Sequence, residues 1–282
     1  MSKKFKIYLI TSLFTLGSCS IAGSWVYERA DGYLAKYFKE YADFSNEQES
    51  EIDKVTASYV NWFTQNELPV IRAILVKIKG INNNNAEILI NETYISGQGL
   101  FERSNKFFEK SFVKFSKTLT DRQVDEIRNH FDEIQFEREE SRKKEKSYSE
   151  EVFENFNSGF RRLNLKLTNA QKDYIKENIK ELKNARSGWS FYQEKWVEEL
   201  IEILKKRNDK DFEENITSHL RSFENLGDEE FQLTRKNNEQ VTIKIISGIF
   251  SSASEKQIRG MSRRIETYIA SIDRILSNRS LD

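Results

Sequence analysis

Beyond residue 24, apolar residues recur at steps of three and four along almost the whole chain, and no segment sustains an apolar/polar alternation bounded by turns. Phe101, Ser104, Phe108, Phe112, Phe115 and Leu119 form one such stripe. Val124, Ile127, Phe131 and Ile134 form a second, and Val152, Phe156, Phe160 and Leu163 a third. Trp189, Tyr192, Trp196, Leu200 and Ile203 continue the pattern, and Ile258, Met261, Ile265, Tyr268, Ile272 and Ile275 carry it towards residue 275. Each stripe leaves a charged opposite face, as helices do when they pack around a shared core. The pattern predicts an all-α protein, an elongated multi-helix bundle of about ten helices with no sheet.

A short phrase punctuates these stripes. In "LTDRQ" (Leu119–Gln123) and "LTNAQ" (Leu167–Gln171) a threonine is followed three positions later by glutamine. That spacing describes a capping box: the hydroxyl accepts from the backbone amide three residues on, and the glutamine side chain returns to the amide of the cap. "FSNEQ" places Ser45 and Gln48 in the same relation, and "ASEKQ" places Ser254 and Gln257. Four helix starts are thus expected, at Ser45, Thr120, Thr168 and Ser254, each cap contributing about 1 kcal/mol. Their unequal spacing excludes a fixed-period solenoid. Further boundaries are expected at Gly80–Asn85, Ser187-Gly188, Asn208-Asp209 and Gly227-Asp228, and Pro69 suits the first turn of a helix. Residues 25–282 read as a single helical domain, with possible sub-boundaries near 80–86 and 187–188.

Composition narrows the function. One proline in 282 residues agrees with long helices. The 45 basic and 45 acidic residues balance, so no nucleic-acid partner is expected. A lone cysteine, Cys19, makes no internal disulfide, and His130 and His219 have no second ligand nearby in the sequence, so no metal and no cofactor is expected.

The first residues change the compartment. Lys3, Lys4 and Lys6 precede an apolar run from Ile7 to Leu16, and Gly17-Ser18-Cys19 follows. A basic region, a short apolar region and small residues before a cut describe a secretory signal. "LGSC" resembles a bacterial lipobox, which implies residues 1–18 as a lipoprotein signal peptide, acyl chains on Cys19, and residues 19–24 as a lipidated tether. By the same resemblance, Ser20 after the cysteine implies the outer membrane, on its periplasmic side. Two acyl chains already give stable anchoring. The competing reading is an uncleaved anchor across Ile7–Tyr27, which Gly, Ser and Thr make weakly apolar.

Candidate chemistry is sparse. There is no glycine-rich phosphate loop, His-Glu-x-x-His, nucleophile elbow or paired-cysteine motif, so no catalytic residue is expected. Glu133, Glu137 and Glu140, beside Arg138, Arg142 and Lys143-Lys144, read as surface ion pairs, and the run Arg138–Lys146 as a solvated face or hinge. The densest polar and aromatic constellation is Tyr27, Asp31, Tyr41, Asp43, Trp62 and Glu67, a candidate groove whose plainer reading is a packed helix corner with a buried tyrosine hydroxyl and tryptophan N–H. "GWSFYQEKW" (Gly188–Trp196) could offer aromatics to a partner, although its spacing also serves a core stripe.

Two stretches, "WVYERADGYLAKYFKEYADFSNEQESEI" and "YVNWFTQNELPVIRAIL", resemble an uncharacterised family of proteobacterial lipoproteins. The family pattern is matched by Tyr27, Ala30-Asp31, Tyr41 to Asp43, Ser45 to Gln48, Trp62 and Glu67-Leu68-Pro69; Phe44 and Asn46 depart from its leucine and proline. The paired LT-x-x-Q elements also resemble those of small helical periplasmic chaperones and envelope-stress regulators. The family carries no activity to borrow; with the anchor and without a catalytic motif, the chain is expected to be a membrane-anchored, non-enzymatic interaction protein with an envelope protein as partner. The alternatives are a chaperone-like binder of unfolded envelope proteins and, further off, an enzyme acting on an envelope polymer.

Overall fold

A computed structural model describes residues 27–143 and 147–279. Among them lie eleven α-helices and no strand: α1 (Ala30–Lys39), α2 (Asn46–Asn66), α3 (Leu68–Lys79), α4 (Ala86–Ser116), α5 (Asp121–Lys143), α6 (Tyr148–Arg162), α7 (Asn169–Asn178), α8 (Arg186–Lys205), α9 (Phe212–Ser222), α10 (Glu229–Ser251) and α11 (Glu255–Arg279). The protein is an all-α multi-helix bundle. The expected signal peptide, Cys19 and the tether of residues 19–24 lie outside the described residues.

Helix starts follow from side chains that fill otherwise orphaned amides. Ser45 Oγ accepts from the Gln48 amide while Gln48 Oε1 accepts from the Ser45 amide, and α2 begins there. Thr120 with Gln123, Thr168 with Gln171, and Ser254 with Gln257 repeat the arrangement at α5, α7 and α11. A fifth box, Ser147 with Glu150, opens α6, and Asp228 caps α10. The fifth lacks the sequence signature of the other four: Lys146 precedes Ser147, and Glu150 stands where they have glutamine. Gly227, the residue before the Asp228 cap, turns the chain with φ +96°, a conformation that favours glycine.

The boxes do more than start helices. They meet in pairs. Gln48 Nε2 donates to Gln123 Oε1 at 3.1 Å and Gln123 Nε2 donates to Gln48 Oε1 at 2.7 Å. Each amide also reaches the carbonyl two residues before the partner's cap: Gln48 to Thr118 and Gln123 to Asp43. The second pair repeats the scheme. Gln171 reaches the Ser252 carbonyl, Gln257 reaches the Lys166 carbonyl, and Gln257 Nε2 donates to Gln171 Oε1 at 2.8 Å. The start of α2 is thereby tied to that of α5, and the start of α7 to that of α11.

Three buried clusters lie between the helices. The first gathers Ile90 of α4, Ile175 of α7, Ile245 and Ile249 of α10, and Met261 and Ile265 of α11. The second joins Tyr27 and Leu34 to Val60 and Phe63 of α2 and to Ile272 and Ile275 of α11. The third joins Val124 and Ile127 of α5 to Leu200, Ile201 and Leu204 of α8 and to Phe212 and Ile216 of α9. Helix α4, 31 residues and roughly 46 Å long, touches all three through Ile90, through Phe107 and Phe108, and through Phe112 and Phe115. Two details differ from the sequence reading. The buried stripe of α4 passes through Leu100, while Phe101 is exposed. Ser187-Gly188 lies inside the first turn of α8, whose start at Arg186 sets the boundary just before it.

Candidate functional site

The six residues of the expected groove fall into two different environments. Tyr27 is buried in the second cluster, its hydroxyl 2.8 Å from Thr64 Oγ1, and Trp62 stacks beside Tyr59 and Phe107 at its edge. Glu67, only 1% exposed, caps the junction of α2 and α3 and accepts two hydrogen bonds from Arg103 of α4, at 2.7 and 2.8 Å. Asp31 stands in the first turn of α1. Tyr41 belongs instead to the third cluster, where its ring lies 4.4 Å from His130 and 5.2 Å from Phe131 and its hydroxyl meets Tyr37. Burial raises the Tyr41 phenol well above its ordinary value, with the neighbouring Tyr37 adding to the effect. Asp43 is exposed and pairs with Arg122, while its carbonyl serves the Gln123 amide. Each of these six is thus engaged in holding helices together, apart from Asp31, whose role is confined to the first turn of α1.

His219 of α9 is likewise satisfied within the fold. It is buried, stacks on Trp196 with ring centroids 4.6 Å apart, and donates from Nε2 to the Trp196 carbonyl at 2.9 Å. Trp196 Nε1 returns a hydrogen bond to the His219 carbonyl at 3.1 Å. Desolvation lowers the imidazole pKa below its ordinary value, against the opposing pull of the Trp196 carbonyl and of Glu199 at 3.7 Å. The unfolded chain therefore takes the proton more readily than the folded one. Stability is full above about pH 6.5 and falls as the pH drops through the depressed folded value, by up to about 1.4 kcal/mol per unit. Urea midpoints between pH 7.5 and 5 should decline more steeply for the wild type than for His219→Gln, and parallel profiles would exclude His219 as the source.

The more open chemistry lies between α5 and α8. These helices pack together and leave a groove of about 380 Å³ lined by Phe131, Phe136, Arg138, Gln193 and Val197. A second depression continues it past Arg142, Ser190 and Phe191, sharing Gln135, Glu139 and Glu194 with the first. From Arg128 to Arg142 it extends about 21 Å along α5. Phe136 of α5 and Phe191 of α8 are 65% and 52% exposed on its two walls.

Two arginines one helical turn apart face this groove. Arg138 Nη1 donates to Gln193 Oε1 at 2.6 Å, and Arg142 Nη1 donates to Ser190 Oγ at 2.8 Å. Both acceptors are neutral, and neither arginine makes an ion pair among the described residues. Burial lowers the Arg138 pKa below the ordinary guanidinium value, and the charge of Arg142 adds to that. By contrast Arg186, in the second depression, is paired with Glu151. The run Arg138–Lys146 reads in the sequence as a solvated face or hinge; as far as residue 142 it is helical and turns two half-buried arginines towards α8. One sequence signal did mark the groove: Phe136 and Phe191 both fall off the apolar stripes of their helices.

Among the described residues no group of three or more His, Cys, Asp or Glu side chains could hold a metal ion, and no helix is long and apolar enough to cross a membrane. No curated protein and no solved structure matches the chain. One family model does, over residues 40–232, and its description is "Family of unknown function (DUF6279)".

Proposed function

The chain belongs to this family of unknown function, and on that footing we propose that it is a lipid-anchored, non-enzymatic interaction protein of the bacterial envelope, held by Cys19 and facing the periplasm, on the outer membrane. The anchor rests on the basic, apolar and small-residue order of residues 2–19 and on the "LGSC" signature. The interaction role rests on one observation: the α5/α8 groove exposes Phe136 along its first part and Phe191 along its second, beside two arginines whose acceptors are neutral. Aromatic and arginine side chains are the types enriched where proteins bind one another. Anchoring would raise the local concentration of the groove at the membrane.

A chaperone-like binder would gather its exposed apolar side chains on one concave face. Here they are spread over six helices: Tyr33 on α1, Val76 on α3, Ile88, Ile95 and Phe101 on α4, Phe136 on α5, Phe191 on α8 and Leu233 on α10. That distribution favours a dedicated partner.

Both parts have a direct test in living cells. A fatty-acid probe should label the wild type and leave Cys19→Ala unlabelled; equal labelling would sink the anchor. A photo-crosslinker placed at Phe136 or Phe191 should trap one dominant envelope protein, while the same probe at Leu233 should not. A broad mixture of unfolded proteins from all three positions would instead support the chaperone reading.

A further inference from the structure

We infer that the α5/α8 groove docks a carboxylate-bearing segment of a partner polypeptide, with Arg138 and Arg142 as the receiving pair and Phe136 and Phe191 as the apolar walls. This rests on the interaction role given above and adds the chemistry of the partner.

The inference starts from a charge that the free fold does not reward. A guanidinium moved out of water is destabilised unless a carboxylate or several good acceptors replace its hydration. Arg138 is half-buried, lies close to a second positive charge at Arg142, and receives only the neutral oxygen of Gln193. Two enclosed arginines are paired with acids, Arg207 with Asp121 and Arg186 with Glu151, and Arg235 lies over the Trp189 ring. Arg138 and Arg142 have only neutral oxygens instead, and they sit one turn apart inside a groove open to solvent. Gln193 and Ser190 each engage one Nη1 and so fix where the guanidinium planes lie, which leaves further N–H donors of each fork for an incoming acceptor.

The occupant follows from the surroundings. Two cationic forks one turn apart suit two carboxylates one turn apart on a helix, or two alternate ones on an extended strand, at the reach of charge-assisted hydrogen bonds. The exposed rings of Phe136 and Phe191 then need apolar side chains from the same segment, which a small anion could not provide. A groove about 21 Å long accepts roughly four turns of helix. Asp132, Glu139, Glu194 and Glu198 are exposed along the lining, so they remain hydrated and exclude acidic residues from the positions facing them. The docking segment is therefore amphipathic and acidic at two positions, and is not a uniformly acidic tract.

The test uses the purified full chain in detergent and two labelled synthetic helical peptides. One carries two glutamates one turn apart beside a leucine and phenylalanine stripe; its twin carries glutamines in their place. Fluorescence anisotropy should give at least tenfold tighter binding of the glutamate peptide to the wild type. The double variant Arg138→Gln/Arg142→Gln should lose that difference while holding the twin as before. Arg138→Gln alone should leave the thermal midpoint unchanged or raise it, because it removes an uncompensated charge. Equal binding of the two peptides would overturn the inference, as would no binding of either. A fall of several degrees in the Arg138→Gln midpoint would make the arginine a structural strut and would also overturn it. Inorganic phosphate competing as strongly as the glutamate peptide would mark a small-anion site and likewise overturn it. Because these readouts use neither the lipid nor a cell, their failure beside a successful crosslink at Phe191 would leave the interaction role standing and remove only the chemistry assigned to its partner.

Discussion

Gln123→Leu should destabilise the chain by about 3 kcal/mol. The side chain is only 4% exposed and uses its whole hydrogen-bonding capacity. Oε1 accepts from the Thr120 amide at 3.0 Å and from Gln48 Nε2 at 3.1 Å; Nε2 donates to the Asp43 carbonyl at 2.9 Å and to Gln48 Oε1 at 2.7 Å. Leucine fills the space but deprives the Thr120 amide and the Asp43 carbonyl of their partner and takes one hydrogen bond from each Gln48 amide atom, which keep Ser45 and Thr118; a buried group left unsatisfied costs about 1–3 kcal/mol. The cap lies at a helix start, where water replaces some of them, and the sum is correspondingly reduced. The same change at Gln257 should cost about half as much, since that residue is half-buried and bridges to Gln171 through one hydrogen bond. Urea unfolding with unchanged slope would read both. Equal losses at the two sites, or a loss under 0.5 kcal/mol at Gln123, would mean that the amide bridges add nothing beyond the local caps.

The second large effect is expected at Arg103. Its guanidinium grips Glu67 through two short hydrogen bonds, and that carboxylate raises the Arg103 pKa above its ordinary value. Glu67 is almost fully buried while the Arg103 side chain is 47% exposed. Arg103→Ala removes the partner and leaves a buried carboxylate, a change that costs about 3–5 kcal/mol for a fully enclosed pair. With one member half in water the loss should be about 2–3 kcal/mol. The double variant Glu67→Leu/Arg103→Leu separates the value of the pair from the damage of halving it. It should be more stable than Arg103→Ala, because no orphaned charge remains. A double variant at or below the single one would show that the pair itself, and not the stranded carboxylate, holds α2, α3 and α4 in register.

Much of the architecture was legible because it is written locally. A capping box needs only four residues, so Ser45–Gln48 and its three relatives announced their helices without knowledge of the fold. The pairing of the boxes was not legible, since Gln48 and Gln123 lie 75 positions apart and nothing at either place names the other. The division of the candidate groove between two environments was not legible for a related reason. Tyr27, Trp62 and Glu67 on one side and Tyr41 and Asp43 on the other are close in sequence, yet α1 and α2 carry them to separate clusters. Arg138 and Arg142 were hidden in a charged run, where nothing in the sequence sets them apart from their neighbours. Their distinction is tertiary: it arises from α8, which meets them with neutral Gln193 and Ser190 instead of an acid.

The paired caps also impose an order in time. The bridges span 75 and 86 residues, and loop closure over those lengths differs by only about 0.1 kcal/mol. In a refolding chain neither bridge therefore has a head start. In a chain that emerges N-terminus first, the first can close once Gln123 is out, whereas Gln171 must wait for Gln257. During that interval α2 and α5 can already be joined, while α7 begins on a local cap whose glutamine amide has neither Ser252 nor Gln257 to meet. Vectorial emergence thus splits one bundle into an early half and a late half, although at equilibrium the two halves use the same device.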